Sequence, residues 1–133
     1  WRRYFELWCD AVSSDVPFHV MSHPDLAKKF AYYPTFDVAP LYEQAAEACA
    51  AAGRMVEVNT SGAYYACAEM FPAPGLLAAF RRAGVPCTVG CDSHDPVNVA
   101  RDIERAYGLM YEAGYRSVTV PTATGDRRSI TIE

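Results

Sequence analysis

The stretch Val89-Gly90-Cys91-Asp92-Ser93-His94-Asp95-Pro96 closes a short apolar run that begins at Val85. The run predicts a buried strand, and an Asp-x-His sequence at its end can place two metal ligands on one side of an extended backbone. A cap for the following helix is the alternative role. Asp95, directly before Pro96, fits that position better. We therefore predict that Asp92 and His94 bind a metal ion.

The elements around this stretch alternate between helices and strands. Apolar spacing, prolines near helix starts and glycines past helix ends predict helices at 1–11, 40–52, 73–83 and 97–112. Strands are predicted at 17–21, 54–59, 87–90, 117–120 and 129–132, with one helical turn at 26–30 and an irregular segment at 63–71. This alternation is typical of βα units, so we predict an α/β fold with a parallel sheet.

Polar clusters follow three successive predicted strands. His23 and Asp25 follow the first, Glu57 and Asn59 lie at the end of the second, and the Asp-x-His pair follows the third. Ligand sites in parallel α/β folds lie at the carboxyl ends of the strands. His23 alone could be a hydrogen-bonded loop histidine. The three clusters together favour metal binding, and a carboxylate such as Glu57 inside an apolar strand is costly unless it is paired.

Composition limits the classes of function. The chain has 133 residues and a net charge of -4, and it contains no basic run, which argues against a nucleic-acid partner. No apolar run reaches the roughly 20 residues needed to cross a bilayer. Five cysteines without CxxC spacing predict reduced, packing side chains in a cytoplasmic protein. We expect His19 to be packed or solvent-facing, and Lys28-Lys29 and Arg81-Arg82 to be solvated.

Taken in order, these motifs resemble a known superfamily. His23-Pro24-Asp25-Leu26 with Lys28-Lys29-Phe30, then the segment 57–62, then Gly90-Cys91-Asp92-Ser93-His94, are similar to the later motifs of the PHP (polymerase and histidinol phosphatase) superfamily, in its histidinol-phosphatase branch. The resemblance implies a distorted TIM-like barrel of seven βα units with two or three divalent metal ions, Zn, Mn or Fe, at the strand ends. It also implies that His23, Asp92 and His94 are metal ligands, with Asp92 and His94 in the catalytic centre.

The same resemblance implies that Glu57 and Asp25 support the metal ligands without binding the metal themselves. It also implies that Asn59 and Tyr64 bind the substrate. Family members open with a His-x-His motif that this chain lacks. A complete βα barrel needs on the order of 200 residues. We therefore expect residues 1–133, which begin at Trp1, to be the C-terminal half of one domain whose partner is its own N-terminal half. Histidinol phosphatases often carry a phosphate-binding arginine where this chain has Ala63-Tyr64-Tyr65, which questions histidinol phosphate as substrate.

Three hypotheses follow from these observations. The first is a phosphatase in which metal-activated water hydrolyses a small phosphate monoester, probed by chelation and by changing Asp92 or His94. The second is a PHP-like binding or regulatory module without catalysis. The third is a self-standing fold that closes a barrel by dimerisation, because an exposed parallel sheet edge is a liability in a monomer.

Overall fold

A computed structural model describes residues 1–132, along which helices and strands alternate. The α-helices are α1 (Arg2–Val12), α2 (Ala39–Ala51), α3 (Pro74–Arg82) and α4 (Ile103–Glu112). The strands are β1 (Val20–Met21), β2 (Met55–Asn59), β3 (Cys87–Gly90), β4 (Ser117–Pro121) and β5 (Arg127–Thr131). Single 3₁₀ turns occupy Leu26–Lys28, Thr60–Tyr64 and Pro96–Asn98.

Strands β1, β2 and β3 form a parallel sheet in chain order. The register pairs Val20 with Met55 and Asn59 with Gly90, which brings the carboxyl ends of β2 and β3 level with each other. The predicted α/β class with a parallel sheet is therefore confirmed. The last two strands form a separate antiparallel hairpin around Thr124-Gly125.

The core lies where the helices pack on one face of the parallel sheet. It contains apolar side chains from α1, α2, α3 and α4 together with Val56 and Val58 of β2. Because successive side chains of a strand point to opposite faces, Glu57 points away from this core. The sheet thus has one face covered by helices and one face that carries a half-buried carboxylate.

Two elements start three or more residues later than the sequence predicted. Strand β1 has two residues rather than five, and the carbonyl oxygen of Phe18 in the missing part accepts a hydrogen bond from the Arg54 guanidinium and not from a neighbouring strand. Helix α4 starts at Ile103 and not at position 97. Ala100 and Asp102 adopt φ angles of 64° and 59°, which a right-handed helix cannot contain.

Lys28 corrects another expectation. We expected both residues of Lys28-Lys29 to be solvated, but Lys28 is 1% exposed. Its Nζ atom lies 3.0 Å from Asp25 Oδ2 and pairs with Glu69. The prediction was wrong because a lysine that contacts two carboxylates and a carbonyl can be buried. Asp25 is only three residues away, but Glu69 is 41 residues away, and a contact at that separation leaves no local pattern.

No helix within residues 1–132 is long and apolar enough to cross a membrane.

Candidate functional site

Two of the predicted metal ligands meet beside the parallel sheet. His23 follows β1 and Asp92 follows β3, and the distance between His23 Nε2 and Asp92 Oδ2 is 3.4 Å. Both residues have a φ angle of 47°, in the left-handed region that residues other than glycine rarely adopt. Such backbone conformations persist where the surrounding structure holds them, and they concentrate at functional sites.

The surroundings of His23 fix its position. The Tyr4 hydroxyl donates to the carbonyls of His23 and Pro24, at 3.2 and 3.3 Å, and accepts from the Leu26 amide. Burial raises the pKa of Tyr4 to about 12, so the phenol keeps its proton at neutral pH. The His23 ring meets Phe71 edge-on, with 5.7 Å between ring centroids. Helix α1 therefore holds the main chain of the His23 loop, and Phe71 packs against the imidazole.

The tautomer of His94 follows from one contact. Its Nδ1 atom lies 2.9 Å from the main-chain carbonyl oxygen of Asp92. A carbonyl can only accept, so Nδ1 carries the proton. The lone pair of a neutral His94 is then on Nε2, which is the arrangement found in histidines that bind metal ions.

The donor set fits a divalent metal ion in kind and in spacing. Zinc is bound at about 2.0–2.2 Å by histidine nitrogen and carboxylate oxygen, and two such ligands at a tetrahedral angle are roughly 3.4 Å apart. The His23 Nε2 to Asp92 Oδ2 distance matches that separation. Residues 1–132 do not gather three or more His, Cys, Asp or Glu side chains in one metal-binding group. The structure therefore brings His23 and Asp92 together and leaves His94 beside Asp92, outside a three-ligand cluster.

Glu57 and Asn59 form a linked pair at the end of β2. The Asn59 amide donates to Glu57 Oε2 at 2.9 Å, and its Oδ1 accepts from the Ser61 amide and hydroxyl at 3.0 and 2.7 Å. Asn59 is 1% exposed. This amide therefore holds Glu57 and the following turn, and the substrate contact predicted for Asn59 stays a prediction.

Gly90 makes room for the Glu57 carboxylate. A Cβ atom at position 90 would lie 2.1 Å from Glu57 Oε1, closer than atoms can approach. The glycine directly before Cys91-Asp92 therefore lets a side chain of β2 lie across β3. The sequence marked Glu57 as unusual but gave no sign of this contact.

Asp25 is fully buried behind the loop that carries His23. Its Oδ2 accepts from the Ala73 amide at 2.7 Å and lies 3.0 Å from Lys28 Nζ. Burial raises the pKa of this carboxyl, and the Lys28 charge opposes the rise. Asp25 joins the His23 loop to the start of α3. The role behind the metal ligands that we predicted for it stays a prediction.

A cavity of about 320 Å³ lies beside the ligand pair. Its lining includes Asp92, His94, Ser93, Tyr64 and Arg101. The Tyr64 hydroxyl donates to Asp102, and the Arg101 guanidinium stacks 3.4 Å above the Tyr64 ring. Tyr64 thus lines the cavity, although contact with a substrate stays a prediction for it.

Sequence reasoning missed Arg101. The residue lies inside the segment 97–112 that was predicted as helix, where an arginine indicates only a solvated face. Only the break in that helix directs it to the cavity.

Comparisons with known proteins confirm the resemblance that the motifs predicted. The chain is 33% identical over 120 residues to a probable histidinol-phosphatase of Deinococcus radiodurans, and the match covers 90% of this chain and 45% of that protein. The fold resembles the crystal structure of a histidinol phosphate phosphatase from Lactococcus lactis, which is complexed with zinc, L-histidinol and phosphate. That match has a TM-score of 0.67 and 22% identity, and covers 90% of this chain and 47% of the other.

The chain therefore spans about half the length of each of these relatives, which is consistent with the expectation of a C-terminal half. No protein-family model matches the chain.

Proposed function

We propose that this chain, a relative of histidinol phosphatases, carries part of the active site of a metal-dependent phosphatase that hydrolyses a small phosphate monoester. The observation that supports this most directly is the 3.4 Å approach of His23 and Asp92, which come from the ends of two different strands. In this proposal residues 1–133 form roughly the C-terminal half of a distorted (βα)7 barrel. The N-terminal half of the same domain supplies the remaining ligands, and the enzyme is cytoplasmic.

Zinc is the first metal to test, because the similar Lactococcus lactis protein was crystallised with it. Manganese and iron bind similar nitrogen and oxygen donors, and a complete domain would hold two or three ions. When bound, such ions lower the pKa of coordinated water and neutralise charge on the phosphoryl group.

The residues of this chain take distinct parts in the proposal. His23 and Asp92 offer two ligand atoms at metal-binding separation. His94 is held by the Asp92 carbonyl with its Nε2 free to bind. Glu57, fixed by Asn59 and accommodated by Gly90, places a further carboxylate at the same sheet edge.

The proposal is tested on the intact natural protein, stripped with a chelator and reloaded with zinc or manganese. L-histidinol phosphate and a generic phosphomonoester serve as substrates. We expect chelation to abolish hydrolysis. Asp92→Ala or His94→Ala should lower kcat/KM by at least about a hundredfold, because losing a metal ligand costs more activity than losing a residue that hydrogen-bonds to a ligand. His19→Ala is the matched control, since His19 is exposed beside β1.

Two outcomes contradict the proposal: hydrolysis that survives chelation, or variants of Asp92 and His94 that retain wild-type activity and metal content.

A binding or regulatory module without catalysis is the second candidate. The observation that favours it is that residues 1–132 contain no group of three or more ligand side chains. The sequence that precedes this chain in the natural protein discriminates between the two. A His-x-His motif there supports the enzyme, whereas its absence, together with an inactive metal-loaded protein, supports the module.

A further inference from the structure

We propose that Arg101 binds the phosphoryl group of the substrate. This inference rests on the proposed phosphatase function and adds to it the residue that recognises the anion. Arg101 lies on the wall of the cavity that Asp92 and His94 also line. Among residues 1–132, the arginine and lysine side chains in this lining are represented by Arg101 alone. The other charged groups in the lining include the carboxylates of Asp92 and Asp95.

The guanidinium of Arg101 is oriented and only partly used. It stacks on the Tyr64 ring at 3.4 Å, and one terminal nitrogen donates to Asn98 Oδ1 at 3.0 Å. Among residues 1–132, the guanidinium forms no ion pair. Its charge is therefore available to an anion that binds in the cavity.

The carboxylate next to Arg101 in the sequence, that of Asp102, forms no ion pair with the Arg101 guanidinium. Asp102 accepts from the Tyr64 hydroxyl and lies 3.3 Å from Arg105. The hydrogen bond from Tyr64 lowers the pKa of Asp102, which stays ionised at neutral pH. Tyr64 and Arg105 therefore hold this carboxylate, while Tyr64 also supports the guanidinium from below.

The backbone fixes Arg101 against the strand ends. Its carbonyl accepts from the Thr60 hydroxyl at 2.8 Å, which ties the residue to the turn that follows β2. Ala100 and Asp102, on either side, both adopt left-handed conformations. These two positions end any regular helix and direct the side chain between them to the cavity.

The chemistry of the site selects a phosphate ester over other anions. Asp92 and Asp95 repel an anion unless a metal ion offsets their negative charge. A small molecule with a single carboxylate would therefore gain little binding energy at this site. A phosphate monoester offers several oxygens. It can face the proposed metal ion with some of them and a planar guanidinium with others, in the paired geometry that arginine forms and lysine does not.

The test compares wild-type intact protein with Arg101→Gln and Arg101→Lys, and with Arg82→Gln as the matched control. Arg82 is exposed on α3 and pairs with Glu43, away from the cavity. Affinity for inorganic phosphate is measured by calorimetry on the zinc-loaded proteins, together with zinc content and thermal midpoint. KM and kcat are measured with a phosphomonoester.

We expect Arg101→Gln to weaken phosphate binding by about tenfold to a hundredfold and to raise KM similarly, with zinc content unchanged. Arg101→Lys falls in between, because a lysine keeps the charge but not the paired donors. Arg82→Gln binds phosphate as the wild type does.

Unchanged phosphate affinity in a folded, zinc-loaded Arg101→Gln protein overturns the inference. If that variant does not fold, wild-type affinity in Arg101→Lys overturns it instead. The two proposals fail separately. A protein that hydrolyses no phosphomonoester but loses phosphate binding with Arg101 refutes the phosphatase and supports the anion site, whereas an active enzyme whose phosphate affinity ignores Arg101 refutes only the site.

Discussion

Replacing Lys28 with methionine tests the buried charge cluster behind the candidate site. The Nζ atom of Lys28 contacts three acceptors: Asp25 Oδ2 at 3.0 Å, Glu69 Oε2 at 2.5 Å and the Met70 carbonyl at 2.8 Å. Methionine keeps most of the apolar stem and removes the charged donor. The substitution therefore isolates the charge from the packing.

The expected magnitude follows from what Asp25 loses. After the change this fully buried carboxylate keeps only the Ala73 amide as a donor, since its Oδ1 has no partner among residues 1–132. Removing one partner of a buried ion pair costs about 3–5 kcal/mol of unfolding free energy. Glu69, whose side chain is 39% exposed, adds little because water screens its charge. We expect a loss within that range at neutral pH.

The loss should depend on pH with a definite sign. Burial raises the pKa of Asp25 above its ordinary value of 3.8, so the folded state binds this proton more tightly than the unfolded state. Stability therefore falls as pH rises from the unfolded pKa to the raised folded pKa. Lys28 opposes the rise, so its removal should raise the pKa of Asp25 in the folded protein further and extend this pH range upward. The cost of Lys28→Met should shrink as pH falls through this range, because protonation neutralises Asp25.

Urea denaturation followed by tryptophan fluorescence measures both effects, at neutral pH and at about pH 4. Lys29→Met is the matched control, because Lys29 is half-buried and its ammonium lies over the Tyr65 ring at 4.1 Å. We expect that control to cost less than about 1 kcal/mol. The reasoning is refuted if Lys28→Met costs no more than Lys29→Met at neutral pH, or if its cost is the same at both pH values.

Two further substitutions test single contacts. Gly90→Ala should displace the Glu57 carboxylate and lower the free energy of unfolding by about 1–2 kcal/mol. Most of this loss should vanish in a protein that also carries Glu57→Ala. Additive effects of the two substitutions would show that the two residues do not interact. Tyr115→Phe removes a buried hydroxyl that donates to the Val85 carbonyl at 2.9 Å, so thermal unfolding should show a loss of about 1 kcal/mol, and an unchanged midpoint would contradict this contact.

Much of the fold could be predicted from the sequence, because the patterns that specify these helices and strands are local. Helix α2 was predicted at 40–52 and spans Ala39–Ala51, since proline, alanines and a following glycine act within a few residues of each other. Strand β3 was predicted without error at 87–90. The start of α4 was not readable, because Val97 and Val99 suggest an apolar helical face while both are exposed, at 82% and 68%.

The sequence predicted which residue types form the candidate site, but it did not predict the contacts between them. Asp95 was expected to cap the helix predicted at 97–112. Its Oδ1 does accept from the Val97 amide at 3.0 Å, but it caps the short 3₁₀ turn Pro96–Asn98, and the helix starts later. The burial of Lys28 and the place of Arg101 depend on partners from distant parts of the chain. No periodicity or capping pattern encodes such pairings.

The sequence by itself determined the α/β alternation, the three polar strand ends and the resemblance to histidinol phosphatases. These depend on side-chain spacing along the chain, which local physics translates into helices, strands and turns. Only the tertiary structure decided that His23 meets Asp92, that Gly90 admits Glu57, and that Arg101 reaches the cavity. Each of these depends on sheet register and on left-handed backbone positions at His23, Asp92, Ala100 and Asp102, which packing between distant segments holds in place.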